Sequence, residues 1–227
     1  MYQPHEFRDD DAGRAYAHIG RNPFGILVSG QGESLAATHI PFLLNDDDAP
    51  SGLVGHFAVR NEALAGLEDG SPVMAIFPGP HAYVSPTYYR AEKAAPTWNY
   101  TAVHLHGIYR RVDSDGLRTI LERSVETFEN GRAEPWQLDN LPSAAIRSLV
   151  RAIVGFRIEA TRIEGGYKLS QNKLAEDMVS VESRLRSSSR AGDHSLAEEM
   201  RRTGLSGRTS PPSTDPNRWL GPLEDVV

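Results

Sequence analysis

The run of residues 97–112 constrains this chain more than any other segment. It reads Thr-Trp-Asn-Tyr-Thr-Ala-Val-His-Leu-His-Gly-Ile-Tyr-Arg-Arg-Val, dense in β-branched and aromatic residues and without a helical period. Such a run predicts one long strand. Side chains alternate across a strand, so Trp98, Tyr100, Ala102, His104 and His106 share one face. A long strand needs partners, and the rest of the chain offers them. Residues 24–29, 35–44, 53–59, 73–77, 82–85 and 154–169 are also β-rich, and turn signals such as Asn22-Pro23 and Pro78-Gly79-Pro80 divide them. Six or so strands in a closed or nearly closed sheet predict a barrel.

Helices are expected around that barrel. Residues 9–20 open on Asp9, Asp10 and Asp11, which suit a helix N-terminus. Asn61 reads as the cap of a helix ending near Gly70, and residues 117–130, 143–152 and 173–186 have helical patterning. The expected class is therefore α+β, mainly β, with peripheral helices. Composition shifts at Ser187-Ser188-Ser189, and Ser210-Pro211-Pro212-Ser213 is turn-rich. This divides the chain into a barrel domain at 1–186 and a polar C-terminal tail at 187–227, extended by composition, with Trp219 and Leu220 able to dock.

Composition removes several classes of chemistry. The absence of cysteine excludes disulfides, thiolate metal sites, iron–sulfur clusters and a cysteine nucleophile. The net charge of −6 lacks the basic footprint of a compact nucleic-acid-binding domain, so no nucleic-acid partner is expected. No apolar run is long enough for a membrane helix, and the N-terminus lacks the pattern of a signal peptide; a cytoplasmic protein is expected.

The eight histidines lie mostly in predicted strands. His56 and Arg60 share a strand face with Val54 and Ala58, and His39 shares one with Leu35, Ala37 and Pro41. A buried imidazole in such a setting is a hydrogen-bonded core group, a ligand or a substrate contact. His104 and His106 stand where they can chelate from one strand face, but no nearby carboxylate completes the set, so a bare zinc site is not expected. A haem needs only one protein ligand, commonly histidine. Arg60, Lys93, Lys168 and the hydroxyls of Ser85, Thr87 and Ser170 are candidate anion ligands, although Ser85-Pro86 reads equally as a turn. Neither a P-loop, a dinucleotide fingerprint nor a G-x-S-x-G elbow is present.

Several long strings resemble one family. They are NPFGILVS at 22–29, ATHIPFLL at 37–44, GHFAVRN at 55–61, GPHAYVSPTYY at 79–89, PTWNYTAVHLHG at 96–107, EPW at 134–136 and IVGFRIEATRIEGGYKLSQNK at 153–173. In order, over roughly residues 1–185, they are similar to the PaiB-like proteins. The resemblance implies a split β-barrel of the FMN-binding type and a homodimer with cofactor at the subunit interface. It admits two functions. One is that of the haem-dependent piperazate synthases, which cyclise N5-hydroxyornithine by forming an N–N bond. The other is that of an FMN-binding negative transcriptional regulator or flavin/haem sensor.

Under the first reading the cofactor is haem b, the small-molecule substrate is an amino acid, and His56 is the axial ligand, with His39 second. Lys168, Tyr100 and His104 are then the candidate catalytic residues that move protons. Candidate cofactor contacts, besides the two histidines, are Arg60, Ser85, Trp98, Asn99 and Ser170. The chain departs from the family pattern at Gly166 and Met178, each a lost basic residue. Fewer cations weaken capture of the FMN phosphate, which shifts the expectation toward haem.

Overall fold

The computed structural model describes residues 1, 4–31, 34–46, 50–64, 66–90 and 95–203. Seven strands form one sheet: β1 (Arg8–Asp9), β2 (Phe24–Gln31), β3 (Ser34–Leu44), β4 (Gly52–Ala58), β5 (Pro72–Val84), β6 (Thr97–Arg111) and β7 (Ile153–Lys168). Their order is β1-β7-β4-β3-β2-β5-β6, and β6 also pairs with β7, so the ring of pairings closes. The registers of β2–β3, β2–β5, β3–β4 and β4–β7 are antiparallel. This is the expected split barrel. Among the described residues, five α-helices accompany the strands: α1 (Ala12–Arg21), α2 (Ser114–Glu129), α3 (Ser143–Val150), α4 (Ala175–Arg186) and α5 (Ala191–Arg202).

The chain forms two compact units. The first comprises Met1–Tyr2, Arg8–Gly79 and Ala102–Gly166; the second comprises Gln3–Phe7, Pro80–Thr101 and Tyr167–Val227.

In the first unit aromatic rings fill the barrel. Phe42 meets Phe77 and Phe156 edge-on, with ring centroids 5.2 and 5.9 Å apart, and Phe57 and Tyr109 close around Phe156 at 5.8 and 5.9 Å. Gly55 makes room for them, since a Cβ there would lie 2.8 Å from the Phe156 ring. Helix α2 covers the outer face of β4, where Ile120 packs on Val54 and Leu43. Both faces of β4 are thus lined, and the strand is buried from Gly52 to Gly55. Asp11 and Asp113 cap α1 and α2 by accepting from Arg14 N and Gly116 N. In α1, the fully buried His18 bonds through Nε2 to the Phe77 carbonyl at 3.1 Å.

In the second unit α4 and α5 pack together. Their apolar faces bury Val181 and Leu185 on one side and Leu196, Ala197 and Met200 on the other.

Three local expectations are corrected. The segments 73–77 and 82–85 belong to one strand, β5, despite Pro78 and Pro80. Its register with β2 runs only from Val73 to Ile76, so the missing proline N–H groups cost that ladder nothing. The helix expected from Asn61 is a single 3-10 turn, Glu62–Leu64. Gly66 and Gly70 weaken it, and Gly70 adopts φ +93°, a conformation open to glycine. Residues 191–202, expected to be extended, are helical because Leu196 and Met200 give them an apolar stripe at helical spacing. Trp219 and Leu220 lie outside the described residues.

Candidate functional site

β6 has two faces, as its alternation requires. Asn99, Thr101, Val103, Leu105 and Tyr109 are buried, while Trp98, Tyr100, His104 and His106 lie on the opposite, partly exposed face. The candidates from this strand are therefore divided between two environments.

In the second unit, Asn99 turns into a pocket of about 330 Å³ lined also by Tyr89, Pro96, Thr97, Lys168, Ser170, Asn172 and Lys173. Asn99 is fully buried, and its Nδ2 donates to Ser170 Oγ at 2.8 Å. Its Oδ1 has no partner among the described residues. Ser170 holds a left-handed backbone, φ 65°, which costs a residue with a Cβ roughly 1–3 kcal/mol and persists where the surroundings impose it. Lys168 donates to Thr97 Oγ1 at 2.5 Å and sits 5.7 Å from the Phe7 ring centroid. Burial, and then the charge of Lys173, hold the Lys168 ammonium below its ordinary pKa. The Lys173 ammonium lies 5.5 Å from the Tyr89 ring centroid. Two cations, two side-chain amides and three hydroxyls thus share one concave, partly apolar site. This arrangement binds anionic, hydroxylated ligands.

Three of the sequence candidates, Asn99, Lys168 and Ser170, meet there. Thr97, Tyr89, Asn172 and Lys173 join them and were missed. Thr97 and Asn99 are two apart on one strand face, a signal that marking Asn99 alone did not use. Ser85 is elsewhere: it caps the 3-10 turn Pro86–Tyr88 and bonds to Thr87, as the turn reading of Ser-Pro implied. Trp98 is 55% exposed and packs against Tyr83 and His81 at 6.1 and 6.3 Å. Tyr100 shares the Trp98 face and does not line the pocket.

In the first unit, His56 projects from the outer face of β4 into a cavity of about 440 Å³. Apolar side chains dominate its lining, among them Leu121, Val125, Phe128, Trp136, Leu149 and Ile153; among the described residues that line it, Glu129 alone carries a charge. Burial pushes the His56 pKa down, so the ring is neutral near pH 7. Arg60 is not beside it on the strand, because β4 ends at Ala58 and Arg60 sits exposed in the following turn. His39 is also exposed and stacks on Phe24 at 6.1 Å rather than lying in an apolar pocket.

His104, also in the first unit, is half-buried beside His106 and Glu164. Burial lowers its pKa. For Glu164 burial acts upward, but hydrogen bonds from the Met1 α-amino group and His106 bring its carboxyl below the usual range. This corrects the expectation that no carboxylate stands near these histidines: Glu164 reaches them from β7, far away in sequence, where no local pattern points to it. Among the described residues no helix is long and apolar enough to cross a membrane.

Known proteins are similar to this one. The family described as "Putative FMN-binding domain" matches residues 1–162. "Protease synthase and sporulation protein PAI 2" of Bacillus subtilis strain 168 is 34% identical over 200 residues, 88% of this chain and 96% of that protein. Among solved structures, an FAD and haem binding protein from Mycobacterium smegmatis superposes with a TM-score of 0.55 at 16% identity, covering 71% of this chain and 73% of that one. The flavocytochrome Anf3 from Azotobacter vinelandii superposes with a TM-score of 0.53 at 12% identity, covering 74% and 72%. Those two likenesses show the fold, while the family match and the Bacillus relative show descent: this chain belongs to the PaiB-like family of FMN-binding split-barrel proteins.

Proposed function

We propose that this chain is a flavin-binding protein that holds the phosphate end of flavin mononucleotide in the Lys168 pocket. The carrying observation is that two lysines, Lys168 and Lys173, line one pocket, where their like charges repel. A phosphate dianion relieves that repulsion through charge-assisted hydrogen bonds. The residues fit the rest of the ligand as well. The unpartnered Asn99 Oδ1 is an acceptor for a ribityl hydroxyl, and the Tyr89 ring gives an apolar wall. With basic residues missing at Gly166 and Met178, Lys168 and Lys173 are the cations left to meet the phosphate in this reading.

A homodimer belongs to the same reading. The exposed cluster of Trp98, Tyr83 and His81 has the aromatic character of an interface core. A cytoplasmic setting accords with a chain that has no cysteine. The role is binding and sensing; with a net charge of −6 the signal passes through a protein or small molecule rather than by broad contact with nucleic acid.

His56 favours a second reading, a haem-dependent cyclase acting on N5-hydroxyornithine. A neutral imidazole in an apolar cavity is a suitable axial ligand, and haem would supply a Lewis acid for the N–O bond. Among the described residues no cation lines that cavity to meet two propionates, which ranks this reading second. The absorption spectrum of the purified protein, after reconstitution with either cofactor, separates the two. Saturable flavin binding weakened by Lys168→Met supports the first. Haem uptake abolished by His56→Leu, with no flavin bound, replaces it with the second.

A further inference from the structure

Alternation along β6 brings His104 and His106 to one face, and the strand itself has no acid to accompany them. The barrel supplies one. β7 pairs with β6, and Glu164 projects from it beside the histidines. One ligand atom from each of the three lies within 4.8 Å of the others, and His106 Nε2 is 3.0 Å from Glu164 Oε2. Around a tetrahedral zinc-type ion with bonds of about 2.1 Å, ligand atoms stand roughly 3.4 Å apart. Small rotations of half-buried side chains bring the three to that spacing. Gly107 helps on the backbone side: a Cβ there would overlap the Glu159 carbonyl of β7, so only glycine permits this approach of the two strands.

The present contacts of His106 are in conflict. Its Nε2 lies 3.0 Å from Glu164 Oε2 and 3.0 Å from an Arg162 guanidinium nitrogen. One ring nitrogen cannot donate to a carboxylate and accept from a guanidinium at once. Arg162 also donates to Glu164 Oε1 at 2.6 Å, and the Met1 α-amino group to Oε2 at 3.2 Å. Cations already crowd this carboxylate. Arg162 is 57% exposed and free to swing away, whereas Glu164 is only 18% exposed.

We propose that His104, His106 and Glu164 form a site for a divalent transition-metal ion of the zinc class. The Nε2 lone pair of His106 then points at the metal, and Arg162 moves to solvent. Two imidazoles and one carboxylate suit zinc or cobalt and leave a position for water, as in open rather than closed sites. The site shares no residue with the Lys168 pocket and does not rest on flavin binding.

The test uses the full chain, stripped with a chelator and titrated with Co²⁺ alone and Zn²⁺ alone. Expected are one Co²⁺ per chain, visible absorption of a low-coordinate cobalt site, and its displacement by Zn²⁺. Changes merely next to a metal ligand weaken binding about 10–100-fold, so His104→Ala, His106→Ala and Glu164→Gln should each exceed about 10-fold. His194→Ala, on α5, should bind as the parent does. Melting curves of the metal-free variants distinguish lost binding from lost folding. If the Glu164→Gln chain fails to fold, a rise in the parent's melting temperature with Zn²⁺, removed by His106→Ala, carries the same information. No saturable binding by the parent, or undiminished binding by a folded Glu164→Gln chain, overturns the proposal.

Discussion

Replacing His56 by leucine should make the protein more stable. The imidazole is half-buried in an apolar cavity, and no hydrogen bond to it exists among the described residues. A buried polar group without a partner costs about 1–3 kcal/mol, and partial exposure puts His56 near the lower end. Leucine matches Leu121, Val125 and Leu149 in the cavity and removes the penalty. The gain is about 1 kcal/mol, or roughly 2–4 °C in melting temperature for a chain of this size.

The pH dependence gives a second readout. The folded pKa of His56 lies below the unfolded value of about 6.5, so in acid the unfolded chain takes up a proton before the folded one does. Stability is full above that unfolded pKa and is lost as the pH falls from it toward the folded value. His104 shifts in the same direction for the same reason, so part of the slope remains in the variant. Calorimetry from pH 8 down to about pH 5 should show a shallower decline for His56→Leu than for the parent. A loss of more than about 1 kcal/mol in the variant, or an unchanged slope, would refute the picture of an unpartnered imidazole and point to a structural hydrogen bond.

Other outcomes follow from the same geometry. Phe156→Ala should cost about 3–5 kcal/mol by chemical denaturation, because the rings of Phe42, Phe57 and Tyr109 lose their common contact. Lys168→Met should weaken flavin mononucleotide binding by about 1.5–3 kcal/mol, roughly 10- to 100-fold by fluorescence titration, with the melting temperature nearly unchanged. Truncation after Ser187 removes Leu196 and Met200, both fully buried, and should cost roughly 3–6 kcal/mol at about 1.5–3 kcal/mol for each side chain; a truncated chain that melts like the parent would show that α5 adds nothing. Light scattering should report a dimer, with Trp98→Glu shifting it toward the 25.0 kDa monomer.

Much of the barrel was legible because strand periodicity is a local property. The alternation at 97–112 divides buried Asn99, Val103 and Leu105 from outward Trp98, His104 and His106, and the structure keeps that division. The start of α1 was readable for the same reason, since Asp11 acts on a backbone group three residues away; the start of α2 was not, because its cap, Asp113, went unread and the helix was expected only from residue 117. Composition misled where a few apolar residues sat among many polar ones. In α5 only Leu196, Ala197 and Met200 are apolar and buried, yet they fall on one face. A count over the segment averages that face away.

Arg60 shows how an error of a few residues changes a role. The alternation counted from Val54 is correct through Ala58, but the strand stops there, and Arg60 turns into solvent. His39 shows a different limit: alternation says which residues share a face, not whether that face is covered.

What the sequence by itself determined is the list of strands, the faces within each strand, the family and the identity of individual chemical groups. What only tertiary structure decided is which groups meet. Asn99 reaches Ser170 across 71 residues, and His106 reaches Glu164 across 58, both through the proximity of β6 and the end of β7. Helix α2 over β4 likewise turned an outward-facing His56 into a half-buried one. The physical reason is that periodicity is set by bonded neighbours, whereas burial, pKa and coordination are set by whatever the closed sheet brings within a few ångströms.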